Sequence, residues 1–320
     1  MMSTLAGGSP AFPSVIWSWN LIADIQNMLS FAFMRNAFTA GTASAIAAGL
    51  VGYFVVLRGS SFAAHAISHI GFAGAAGALL LGINPILGVG ALSLAASAGM
   101  GALGKRLRGR DAVIGLIMAA SLGLGVLFTT MYQGNAANAL AYLFGQIFGI
   151  SAGAALLTVA TSVVVLLALT ALYRPLLFAS LDEEVAQARG VPVGPISVGF
   201  LLLMALAVTE AVQVSGVLLI FALLIAPGAI AERITRRPAS ALAVSGGLAV
   251  LITWISLTLA YYTPYPVSFY VPALAFVLYL GARLATTGHG LRGLLPGGHV
   301  PGRRPRGARA AGRRAATVRL

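Results

Sequence analysis

The chain has 320 residues, 59% hydrophobic and 8% charged, with a mean hydropathy of +0.93 and a net charge of +13. A water-exposed surface normally needs about a quarter of residues charged, so this composition excludes a soluble globular domain. It does not point to nucleic acid either: Arg292, Arg303, Arg304, Arg306, Arg309, Arg313, Arg314 and Arg319 stand together at the C-terminus, with no folded recognition motif beside them.

Residues 1–32 read as an N-terminal interfacial segment, because Trp17 and Trp19 suit the headgroup level. No positive region precedes their apolar stretch, so they do not read as a signal peptide. Between 33 and 286, apolar runs recur, each near the ~20 residues a helix needs to cross the hydrocarbon core. The runs are continuous rather than alternating, which selects helices over a barrel. The predicted spans are 33–57, 62–82, 86–104, 112–132, 152–173, 195–211, 214–231, 239–262 and 267–286. The fold class is therefore all-α, a polytopic transmembrane bundle of about eight or nine spans. The connection 133–150 leaves room for a re-entrant turn or a further short helix. Residues 287–320, rich in Gly, Pro, Ala and Arg, are expected to be a disordered basic tail against anionic lipid headgroups.

Basic residues orient the bundle. Arg58 follows the first span, Lys105, Arg106, Arg108 and Arg110 the third, and Arg174 and Arg189 the fifth. Arg233, Arg236 and Arg237 follow the seventh, and the arginine tail the ninth. With nine spans and an external N-terminus, all of them face the cytoplasm, as does the C-terminus; Arg35 alone departs. In the inner loop 174–195, Asp182, Glu183 and Glu184 would open a short helix, Leu181, Val185 and Ala188 would share a face, and Gly190 with Pro192 would end it. Such a helix is either a solvated connector or a docking element for a cytoplasmic partner.

Few residues could carry chemistry. Gly99 to Lys105 imitates a phosphate-binding loop, but Arg106 stands where magnesium needs Ser or Thr, so the chain is not expected to bind ATP. His65 and His69, four apart, share one helix face and can contact one transition-metal ion. Ala66 replaces the glutamate that a metalloprotease needs after the first histidine. Gly71, Gly74 and Gly77 make a thin face for close helix contact. Glu210, at the outer end of the sixth span, must face water or pair with a cation, which makes it a candidate outer-mouth ligand. Pro227 interrupts the seventh span, most simply as a packing feature. The chain has no cysteine, hence no disulfide or thiolate site.

Together these residues resemble a known family. Arg58-Gly-Ser-Ser-Phe62 followed by HAISHIGFAGAAGALL is similar to the second-span signature of the metal ABC transporter permeases, which take up zinc, manganese and iron. Asp111 to Gly115, Leu143-Phe-Gly145, Leu181-Asp182 through Val185-Ala186 to Gly190, and Leu223 to Pro227 with Ala231 extend the likeness in the right order. Two positions depart: His65 stands where the signature usually has Asp, and Ala73 replaces a proline. The resemblance implies a permease subunit, not an enzyme, of a bacterial inner-membrane importer for divalent transition metals. His69, and His65 by position, would line the metal path, and imidazole in place of carboxylate would favour zinc over manganese. It implies no permanently bound cofactor, only transported Zn2+ or Mn2+. It implies a second permease chain, expected as a homodimer, a cytoplasmic ATP-binding subunit and an extracytoplasmic metal-binding protein. Residues 181–190, with Asp182, Glu183, Glu184, Val185, Ala186 and Gly190, would couple to the ATPase. The alternative is a secondary divalent-cation transporter, which needs more embedded carboxylates than Glu210 supplies.

Overall fold

The computed structural model describes residues 21–103, 110–132, 145, 147–217 and 220–291. Its helices are α1 (Leu21–Ser30), α2 (Ala32–Leu57), α3 (Ser61–Leu80), α4 (Pro85–Leu103), α5 (Arg110–Met131), α6 (Ala152–Leu181), α7 (Glu183–Ala188), α8 (Val193–Ser215), α9 (Ile220–Ile234), α10 (Pro238–Tyr262) and α11 (Val267–Leu291), with one 3-10 turn at Ile147–Gly149. Trp17, Trp19, Lys105, Arg106, Arg108, Leu143, Phe144 and the tail arginines lie outside the described residues.

Among the described residues, eight helices are long and apolar enough to cross a membrane: α2, α3, α4, α5, α6, α8, α10 and α11. Burial sorts them. α3 is 78% buried over its apolar window and α5 only 11%, so α3 belongs to the core with α2 and α8, while α5 forms part of the rim. Leu116 on α5, Leu156 on α6 and Phe276 on α11 remain exposed and present the apolar surface that lipid covers.

Small residues let the core helices meet at their backbones. A side chain at Gly52 of α2 would collide with the Leu224 carbonyl of α9, and Gly74 of α3 and Gly88 of α4 each abut the other's carbonyl. Ser245 Oγ of α10 donates to the Gly49 carbonyl at 2.6 Å, fixing α10 against α2. Without a hydrophobic drive between helices in lipid, such close packing and hydroxyl contacts hold the bundle together.

The helix ends fall into two groups. Arg58 at the end of α2 reaches Ser180 at the end of α6 and Ser197 at the start of α8. Arg233 of α9 donates to the Tyr279 hydroxyl of α11 at 3.2 Å. At the opposite end, Asn36 Nδ2 donates to the Ile150 carbonyl at 3.1 Å, and Phe31 packs on Tyr261. Arg35, the exception to the one-sided charge pattern, is used locally: its guanidinium donates to the carbonyls of Leu29 and Ser30, which close α1.

Several predicted boundaries move, among them that of the last span, where α11 continues past 286 to Leu291 into the segment expected to be tail. The apolar run 214–231 is not a full span: α8 continues to Ser215, Gly216 turns the chain at φ 78°, and α9 then runs 15 residues. At 1.5 Å per residue α9 is about 22 Å long, short of a ~30 Å core. It nevertheless runs past Gly52 and Tyr53 toward the end of the bundle that carries Arg58. The fifth span passes Arg174 and Pro175 and ends at Leu181 as a helix of 30 residues, because a proline removes one hydrogen bond without forcing a stop.

Candidate functional site

The tight turn Arg58-Gly59-Ser60 reverses the chain from α2 into α3, with Gly59 at φ 60° and Ser60 N–H bonded to the Val55 carbonyl at 2.9 Å. One turn into α3 comes His65, and one turn further His69. Their rings lie 4.4 Å apart between centroids and 85° to one another. His69 is buried and His65 half-buried, and the Nδ1 atom of each is buried with no hydrogen-bond partner among the described residues. An unsatisfied buried polar atom costs about 1–3 kcal/mol. Two such nitrogens on touching rings are suitable donors for one borderline-soft metal ion. Phe221, the second residue of α9, stands against His65 at 4.8 Å.

Glu210 is elsewhere. It lies about 26 Å along α8 from Val193, whereas His65 and His69 lie about 6 and 12 Å along α3 from Ser61. Rather than facing water, its carboxyl is buried between α8 and α6, where Oε2 accepts from Ser162 Oγ at 3.0 Å and Oε1 has no partner among the described residues. Among the described residues no three His, Cys, Asp or Glu side chains gather into one metal cluster. The histidines are thus brought together and Glu210 is not brought to them. A two-imidazole contact can hand an ion on, whereas a complete tetrahedral set holds it. Pro227 is buried within α9, between Leu224 and Gly228, the two residues that meet Gly52.

At the basic end, α7 forms the predicted short helix. Asp182 caps it, its carboxylate accepting from Val185 N–H at 2.9 Å, with Glu183 and Glu184 in the first turn. Gly190, at φ 80°, ends it. The inward residue is Ala186, fully buried against Ala179 of α6 and Val193 of α8. Leu181 and Val185 point outward, 62% and 45% exposed. The apolar face expected from spacing exists but faces away from the bundle, beside the acidic turn. Sequence reasoning missed the Arg58 contacts with Ser180, Ser197 and Phe200; the only signal was the place of Arg58 in the second-span signature.

Comparison with known proteins agrees with this architecture. Residues 30–286 match ABC-3, the ABC 3 transport family. The manganese transport system membrane protein MntC of Halalkalibacterium halodurans is 32% identical over 68% of this chain and 75% of its own. The manganese import system permease protein ScaB of Streptococcus parasanguinis is 32% identical over 74% and 85%. PsaBC from Streptococcus pneumoniae, solved in complex with Fab, superposes with a TM-score of 0.74 at 27% identity, covering 82% of this chain and 95% of that one. With the match running from the start of α2 to near the end of α11, the chain belongs to the ABC 3 transport family of multi-pass membrane permeases.

Proposed function

We propose that this chain is the permease of an ATP-driven importer of a divalent transition-metal ion, in a bacterial cell membrane, with its C-terminus in the cytoplasm. The observation that carries the reading is the His65–His69 pair, two touching imidazoles whose Nδ1 atoms have no partner among the described residues, in the second and third turns of a buried helix. The relatives' names support manganese at least as well as zinc, so the zinc preference expected from His65 is not retained. Glu210 would meet the ion separately, near the far end of α8.

The energy comes from a partner. Two permease chains, expected as identical copies, would each bear a cytoplasmic ATP-binding subunit on the exposed face of α7, where Leu181 and Val185 adjoin Glu183 and Glu184. An external metal-binding protein would deliver the ion to the opposite end. ATP binding would rock the permease halves, and the ion would pass through a site of few, exchangeable ligands.

The direct test is metal uptake in a strain lacking the chain. Restoring the chain should restore manganese or zinc accumulation, and unchanged accumulation of both refutes the reading. His65→Asp should move relative uptake toward manganese, because carboxylate suits the harder ion; an unchanged manganese-to-zinc ratio removes His65 from selectivity.

A further inference from the structure

Arg58 joins the loop that bears α7 to the helix that bears the histidines. One guanidinium nitrogen donates to Ser180 Oγ at 3.2 Å and another to Ser197 Oγ at 2.7 Å. Its central carbon lies 5.5 Å from the centre of the Phe200 ring, a cation–π distance. Phe200 in turn packs on Phe54, and Phe54 on Tyr173, so one half-buried arginine ties the ends of α2, α6 and α8 over a shared aromatic floor.

These anchor points are also where α7 rests. Ala186, its inward residue, packs on Ala179 and Val193. Ala179 directly precedes Ser180, and Val193 stands one helical turn before Ser197. A displacement of α7 therefore reaches both hydroxyls that hold Arg58. On its other side Arg58 opens the turn to α3, braced by Gly59 N–H to Val56 O and Ser60 N–H to Val55 O, at 3.0 and 2.9 Å. One and two turns into α3 come His65 and His69.

We propose that Arg58 is a positioning residue that transmits movement of α7 to α3, and so couples the nucleotide cycle of the partner to the ion site. The inference rests on α7 being the ATPase-docking element. A guanidinium suits the task because its planar fork serves two acceptors while its face lies on a ring, which a lysine cannot reproduce.

The test uses the whole complex, with permease, ATPase and binding protein in proteoliposomes, and reads manganese and zinc ions imported per ATP hydrolysed. Arg58→Gln should still co-purify with the ATPase, hydrolyse ATP and bind metal as wild type does, while ions per ATP fall about fivefold or more. Ser180→Ala with Ser197→Ala should lower the same ratio, Arg58→Lys should recover it only in part, and the triple variant should be no worse than Arg58→Gln alone. An assembled Arg58→Gln complex with the wild-type ratio overturns the proposal. Should Arg58→Gln fail to fold, the double serine variant decides: a wild-type ratio there overturns it. If the wild-type complex itself moves neither ion with ATP, the importer reading fails first, and this proposal with it.

Discussion

At the residue scale, the chain concentrates its chemistry in a few polar side chains held in apolar surroundings. His65 and His69 stack edge to face at 4.4 Å, and both Nδ1 atoms lack a partner among the described residues. Replacing His69 by alanine should weaken ion binding by at least the ~10–100-fold that loss of an outer-shell partner produces, measured by equilibrium dialysis of the purified permease. Undiminished binding would remove His69 from the ion path. For Glu210, Gln keeps the shape and an acceptor for Ser162 while removing the ionisable carboxyl. Glu210→Gln should hold the melting temperature of the detergent-solubilised protein and lower uptake; unchanged uptake makes the carboxyl a packing group. The histidine pair was legible because its partners are four apart in one helix. The surroundings of Glu210 were not, since Ser162 is 48 positions away, nor were those of Arg58, whose partners lie 122 and 139 positions along the chain.

Among the elements, backbone proximity decides which positions tolerate change. Gly52→Ala places a methyl group against the Leu224 carbonyl and should destabilise by about 1–3 kcal/mol, as overpacking does. Gly247→Ala, in α10 with nothing within 4 Å of the added carbon, should stay within about 0.5 kcal/mol of wild type or gain slightly from helix propensity. Thermal unfolding in detergent separates them, and equal melting temperatures would contradict the α2–α9 contact. Helix positions were largely readable from hydropathy: α2, α3, α5 and α10 begin and end within two residues of the predicted spans. The α8–α9 break was expected at 212–213 and falls instead at Gly216, because apolar residues continue on both sides and hydropathy does not register a single residue at positive φ. The length of α6 was missed for the opposite reason, since Arg174 and Pro175 read as a terminus inside a helix that runs on to Leu181.

For the whole molecule, the asymmetry of charge and the alternation of helices describe one object: a bundle with a basic end carrying Arg58, α7 and Arg233, and an opposite end carrying Asn36 and Tyr261. A secondary carrier would need a chain of embedded carboxylates. Among the described residues the spanning helices bury one, Glu210, which favours an external energy source. The clearest measurement is import of radioactive manganese and zinc into proteoliposomes holding this permease with the proposed ATPase and binding protein, comparing wild type with the double variant His65→Ala, His69→Ala. ATP-dependent import by the wild type and its loss in the double variant, with the ATPase still bound, are expected. Equal import by the two would contradict that expectation.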